Sequence, residues 1–302
     1  MTRGEFLLSS LALTASRAFA DGGDAPELGV KEISIEAGAE KPFSVLHVSD
    51  THLTSVYPAE DQWKQEMSRA DTPIFGARQE EALAASVAYA KENCDFLLHT
   101  GDLIDFVSEA NLDLARRHLP ECCLGALGNH EYSHYGWLAG KAGTAGPGLE
   151  ETRNILSKAF PFRLPCAAKT ANGVVFVAID DADGTVSPDQ IVRFRKIAAR
   201  GNPIILCMHV PFYTLGVRLA ARRWWKKGTD ESDPELNLPD AGRQKADADT
   251  QKFIAYLKKE PLLKGILSGH LHMEVEDRFS PTAVQYAAAG NFSFNVQKVN
   301  VS

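Results

Sequence analysis

The chain has 302 residues, 44% of them hydrophobic and 24% charged. That length and apolar share can bury a substantial core and suit one large α/β domain or two small ones. A formal net charge of −7 excludes a global positive field that would draw long nucleic acid, while leaving room for a local basic patch.

The first twenty residues, MTRGEFLLSSLALTASRAFA, carry one early Arg, a short apolar stretch from Phe6 to Leu13 and a small-x-small site at Ala18-Phe19-Ala20. This is the layout of a secretory signal peptide, with the mature domain spanning residues 21–302 and exported to the periplasm or secreted. It also resembles a twin-arginine leader, except that Gly4 stands where the second Arg belongs. The other reading is an amphipathic first helix of a cytoplasmic domain. The apolar run is too short to span a bilayer, and no later segment is apolar enough to do so.

Beyond the leader, β-branched apolar runs alternate with segments of helical period, which predicts an α/β domain. A strand at 43–50 (FSVLHVSD) is followed by a long connection over about 55–75, then a helix at 77–93. Next come a strand at 95–102 (DFLLHTGD), a helix at 108–118, a strand at 122–129 (CCLGALGN) and a helix at 149–159. A strand at 173–180 (GVVFVAID) precedes a helix at 188–199, with Ser187 as cap and Pro188 at its first position. A strand at 203–210 (PIILCMHV), a second long connection over 212–243, a helix at 244–259 and a strand at 263–270 (LKGILSGH) follow. TAVQYAAAG and FSFNVQKVNV read as late strands.

Five of these strands end in polar clusters: Asp50-Thr51-His52, Gly101-Asp102, Gly128-Asn129-His130-Glu131, His209, and Gly269-His270-Leu271-His272. Ligands of open α/β sheets bind outside the carboxyl ends of the strands, so these clusters should converge. Asp180 and Asp181 read as loop carboxylates. Together the clusters offer carboxylates, an amide oxygen and imidazoles, a donor set suited to Mn²⁺, Fe²⁺ or Zn²⁺ and poorly suited to Ca²⁺. Two such ions about 3.5–4 Å apart can activate water and clamp an in-line displacement at phosphorus.

In order along the chain, Asp50-x-His52, Gly101-Asp102-x-x-Asp105, Gly128-Asn129-His130-Glu131, His209 and Gly269-His270-x-His272 resemble the five blocks of the calcineurin-like metallophosphoesterases. The resemblance implies a four-layer α/β-β/α sandwich with two mixed β-sheets and a metal site at the C-terminal strand ends. It implies that Asp50, His52, Asp102 and His272 hold one divalent ion, and that Asp102, Asn129, His209 and His270 hold a second, with Asp102 bridging. His130 would be the acid that protonates the leaving oxygen and Asp105 the carboxylate that orients it. Glu131 would stand behind the ligands. The activity implied is hydrolysis of phosphate esters by a metal-bound hydroxide, phosphodiesters ahead of phosphomonoesters. A non-catalytic scaffold or a nuclease are the other readings.

Phe106 stands where protein Ser/Thr phosphatases carry a phosphate-gripping Arg, and Asp105 where purple acid phosphatases carry Tyr. Both branches are therefore disfavoured, leaving the bacterial phosphodiesterase-like group. Substrate contacts are expected from His134 and from Arg222, Arg223 and Trp224, which could grip phosphate and stack on a base or sugar. The alternative for that basic stretch is a solvated loop paired with the acidic residues after it. A small phosphorylated molecule is the expected partner; the oligomeric state is open. His47 and His99 read as hydrogen-bonded strand residues and His118 as exposed. The five cysteines match no zinc motif, and Cys122, Cys123 and Cys207 read as small buried hydrophobes.

Overall fold

The computed structural model describes residues 27–132, 149–224 and 247–302, with side chains to 221 in the second segment. The leader, His134 and most of the 212–243 connection thus lie outside the described residues. The first sheet runs β1 (Gly29–Ile35), β11 (Asn295–Val301), β2 (Phe43–Val48), β3 (Phe96–Thr100) and β4 (Leu124–Ala126). The second runs β5 (Cys166–Ala171), β6 (Val174–Ile179), β7 (Ile204–Cys207), β8 (Leu263–Ser268), β10 (Val284–Ala287) and β9 (Val275–Arg278). Both are mixed. β2, β3 and β4 are mutually parallel, as are β6, β7 and β8.

The two sheets pack face to face through Ile33, Val45, Leu98, Phe176, Ile205, Leu267 and Val299. β6 reads VVFVAI and is buried at every position, as a central strand covered on both faces requires. The outer face of the first sheet is covered by α2 (Gln79–Asn93), α3 (Glu109–His118) and α4 (Leu149–Leu156), through Leu83, Val87, Leu112 and Leu156. The outer face of the second is covered by α5 (Pro188–Ala198) and α7 (Ala248–Leu257), through Ile191, Phe194, Phe253 and Leu257. The result is the α/β-β/α sandwich.

The helix starts are chemically distinct. Ser108 accepts from the Asn111 N–H and so caps α3. Asp247 does the same for α7 through the Thr250 N–H. Ser187 occupies the cap position of α5 without such a bond, and Pro188 sets the first turn there.

The structure corrects several expectations. The 55–75 connection contains α1 (Gln62–Asp71), whose Met67 packs on Phe106, and the 212–243 connection begins with α6 (Leu215–Trp224). Both helices are short, and α1 is mostly polar, so neither presents a long apolar period. β1, β5 and β9 also go beyond the predicted strands. β5 reads CAAKTA and β9 reads VEDR, and both lie at sheet edges where one side needs no apolar cover. His118 is not exposed: its ring is 18% accessible and its Nε2 lies 2.9 Å from Glu80. Cys122 is exposed, whereas Cys123 and Cys207 are buried, and all five thiols are free. No helix among the described residues is long and apolar enough to cross a membrane.

His47 and His99 are buried within their strands. His47 Nδ1 donates to Gln297 Oε1 at 3.0 Å and its Nε2 accepts from Thr100 Oγ1 at 2.8 Å. Thr51 Oγ1 donates to Asn291 Oδ1, so His99 Nε2 must donate to Thr51 Oγ1, 2.9 Å away. Burial pushes His47 down to about 4 and His99 to about 3. In the unfolded chain both take up protons below the usual value near 6.5, so their contribution to stability is present above that pH and is lost as pH falls towards 4. Urea titrations should show stability declining by about 1 kcal/mol per pH unit per histidine across this interval, and His99→Phe should flatten the decline. Phe176→Ala, emptying the space between the sheets, should lower unfolding free energy by about 3–5 kcal/mol in the same assay.

Candidate metal centre

The parallel strands of both sheets deliver their polar residues at matching offsets. Asp50 follows β2, Asp102 follows β3, His209 follows β7 and His270 follows β8, each two residues past the strand. To turn back towards one another the chain adopts left-handed backbone at Asp50, His52, Asp102, His270 and His272, with φ of 54°, 52°, 52°, 69° and 54°. L residues adopt this region at a cost, and such strain gathers where surrounding structure enforces it. Two glycines permit the close approach. A Cβ on Gly128 would collide with the Asp102 carboxylate, and one on Gly269 with Ser49 Oγ and the Asp50 carboxylate.

Three groups of donor atoms result, each with its atoms within 4.8 Å of one another: Asp50, His52, Asp102 and His272; Asp102, His209 and His270; and His52, Asp105 and His130. Asp102 belongs to the first two. Its Oδ2 lies 3.1 Å from His209 Nε2 and 3.6 Å from His52 Nε2. Asp50 Oδ1 lies 3.3 Å from His272 Nε2. His52 Nε2 and His272 Nε2 are 3.0 Å apart, and His270 Nδ1 is 3.3 Å from His209 Nε2. The Asn129 side-chain oxygen is buried without a hydrogen-bond partner among the described residues. A buried amide oxygen left so is costly unless something else accepts its lone pairs. Imidazole nitrogens, carboxylates and this oxygen together fit a borderline divalent cation.

The opposite ring nitrogens are tied down, which decides the tautomers. Asp105 Oδ1 lies 2.6 Å from His130 Nδ1 and 3.2 Å from His52 Nδ1, so one carboxylate oxygen orients both rings. His209 Nδ1 donates to the Thr100 carbonyl at 2.8 Å, turning Nε2 towards Asp102. Electrostatics follow from this packing. Burial opposes ionisation of Asp102, yet the neighbouring His209 and His130 hold its carboxyl well below the usual carboxylate range. Asp105 is likewise held low against burial by His130. Burial and the charge of His130 push His52 down to about 4. His209 is lifted to about 10, Asp102 outweighing burial.

Other residues frame the site. Glu131 is fully buried and accepts three backbone N–H groups: Asp102 at 2.9 Å, Gly128 at 2.6 Å and Ile104 at 3.1 Å. It therefore ties the loop after β3 to the loop after β4. Asp181, read from the sequence as a loop carboxylate, is buried instead, and its Oδ1 accepts from the His209 and Val210 N–H groups at 2.8 and 3.2 Å. Its position two residues past β6 repeats the offset of the other clusters, a signal the sequence did contain. Asp180 accepts from Tyr132 Oη at 2.7 Å and from the Arg153 guanidinium at 2.7 and 3.0 Å, which pins the residue two past His130. Nothing in the sequence pattern points to Arg153. Phe106 is fully buried and packs on Trp63 at a ring separation of 6.2 Å. Of the expected substrate contacts, His134 and the side chains of Arg222, Arg223 and Trp224 lie outside the described residues.

Two mixed sheets thus bring a histidine–aspartate cluster able to hold metal ions together at their strand ends. The pattern of the calcineurin-like phosphoesterases matches residues 43–274, and the chain belongs to that family. No curated protein matches it in sequence. Among solved structures it is similar in fold to a dimetal phosphatase from Danio rerio, at 12% identity and a TM-score of 0.51, covering 83% of this chain and 88% of that one. A structure of PhoD gives 12% identity and a TM-score of 0.48 over 86% of this chain and 58% of that one. The NAD nucleotidase of Haemophilus influenzae gives 16% and 0.40 over 84% of this chain and 51% of that one.

Removing the two buried acceptors should have graded effects. Glu131→Ala strands three N–H groups and Asp181→Ala two, at about 1–3 kcal/mol each. Urea unfolding should therefore rank both variants below the parent, with Glu131→Ala the lower; equal stability would contradict these roles.

Proposed function

We propose that this chain hydrolyses phosphodiesters of small phosphorylated molecules at a pair of divalent ions, Mn²⁺, Fe²⁺ or Zn²⁺. The observation that carries the reading is the membership of Asp102 in two donor groups at once. Asp50, His52, Asp102 and His272 would hold one ion, and Asp102, Asn129, His209 and His270 the other. Ions held there supply Lewis-acid neutralisation of the phosphoryl oxygens and lower the pKa of water at the site.

The chain's own residues do the rest. Asp105 accepts from His130 Nδ1, stabilises the imidazolium, and leaves Nε2 as the proton donor to the departing alkoxide. Because Asp105 also orients His52, it couples placement of the acid to placement of a ligand. Glu131 fixes the Asp102 and Gly128 N–H groups, and hence the spacing between bridge and acid. A positioned acid would assist departure of a poor leaving group from either ester, and diesters are put first on resemblance to the phosphodiesterase-like group. His134, Arg222, Arg223 and Trp224 belong to this reading as substrate contacts, on the strength of sequence alone. So does export, with residues 1–20 removed as a leader and 21–302 as the mature domain.

The test is hydrolysis of bis-p-nitrophenyl phosphate against p-nitrophenyl phosphate, after chelation and reloading with each metal. Faster diester cleavage restored by metal is expected; a monoester preference would make the protein a phosphomonoesterase. His130→Ala should lower turnover about 10²–10⁴-fold while metal content measured by plasma mass spectrometry stays at the parent level. Loss of metal in that variant would overturn its assignment as the acid.

A further inference from the structure

A second concave surface lies away from the metal centre, where β4 and β5, the open edges of the two sheets, run side by side. It encloses about 640 Å³ and is bordered by α5, and no residue of the three metal-centre donor groups lines it. Its lining includes the apolar side chains of Leu124, Phe162 and Ile197, the first two almost fully buried. Five cations share that lining, Arg163, Lys169, Arg193, Lys196 and Arg200, with Lys169 also 5.2 Å from the Phe96 ring centroid. Glu121 is the one carboxylate among the described lining residues. None of the five cations forms an ion pair with a carboxylate among the described residues. In a chain whose net charge is −7, five cations against one acid is a local inversion of sign.

Cations on edge strands are a common guard against edge-to-edge pairing. That does not explain this set, because only Lys169 sits on a strand. Arg193 and Lys196 lie almost one turn apart on α5, and Arg200 continues the stripe just past its end. Their spacing puts them on one side of this helix, not on a sheet edge. Concentrated cations beside a low-dielectric lining focus a positive potential there. Guanidinium groups also match phosphate oxygens in bidentate geometry.

We propose that this groove is a second binding site, separate from the metal centre, for a small organic phosphate carrying two or more negative charges on an apolar or planar body. The phosphates would engage the cationic rim and the body would cover Leu124, Phe162 and Ile197. The site is independent of the hydrolytic reading, since it shares no residue with it.

Cys122 lines the groove and is the exposed thiol of the five, so it reports locally on occupancy. The full-length metal-loaded protein would be labelled with monobromobimane, an uncharged thiol reagent, and Cys122 modification followed by peptide mass spectrometry. Adenosine diphosphate should slow that labelling about fivefold or more at saturation, pyrophosphate should do so only at higher concentration, and sulfate at matched ionic strength should not. Arg193→Ala/Lys196→Ala changes two exposed side chains, so the fold should persist. That variant should raise the half-protecting concentration about three- to tenfold with diester hydrolysis unchanged. Asp102→Asn, at the metal centre, should leave protection intact. No protection by either phosphate, equal protection by sulfate, undiminished protection in the double variant or lost protection in Asp102→Asn would each overturn the proposal. Pyrophosphate protecting as well as adenosine diphosphate would overturn the role of the apolar side chains.

Discussion

The structure is organised around the burial of three carboxylates, Asp50, Asp102 and Asp105, in one place. Each is at most 1% exposed, and such groups together repel one another and lose their hydration. Imidazoles at 2.6–3.6 Å offset part of that cost, and the donor geometry leaves the remainder to be met by cations. Much of the local architecture reads as a consequence. Parallel strands from two sheets must end at the same level, the backbone must turn left-handed at Asp50, His52, Asp102, His270 and His272, and glycines must stand where a side chain would displace a carboxylate. Glu131 and Asp181 accept the N–H groups that such tight turns would otherwise leave buried and unsatisfied.

The same arrangement explains how neighbouring residues divide their tasks. Asn129 and His130 are adjacent in sequence, yet the turn sends them to different environments. The Asn129 oxygen has no hydrogen-bond partner among the described residues, while the His130 ring is held by Asp105 at its edge. Tyr132, two residues on, is anchored by Asp180 and Arg153, so the segment is fixed on both sides of His130. A loop carrying reactive groups is thus given the rigidity of the strands around it.

Much of this was legible in the sequence because strand ends announce themselves: an apolar run stops at a small residue and a polar cluster follows. The pattern reached Asp50, His52, Asp102, Asn129, His130, His209, His270 and His272 without any structure, and it also anticipated hydrogen-bonded strand roles for His47 and His99. It failed where partners are set by tertiary contact. Asp181 resembles any loop carboxylate until β6 is placed beside β7, and Arg153 has no signal at all until α4 packs against the β6 end. The edge strands β5 and β9 were missed because their residues answer to one neighbour and to solvent, and α1 because a short, mostly polar helix shows little period. The cationic stripe on α5 is readable as spacing, but the groove it borders needs both sheet edges in place.

We propose that Asp102 is shared between two metal positions while Asn129 serves one. Metal equivalents per chain by plasma mass spectrometry, after reloading with Mn²⁺ and removal of excess, test it most directly. A shared Asp102 gives about two ions in the parent, a drop at both positions in Asp102→Asn and loss of a single ion in Asn129→Ala. One ion in the parent, or identical losses in the two variants, would contradict it.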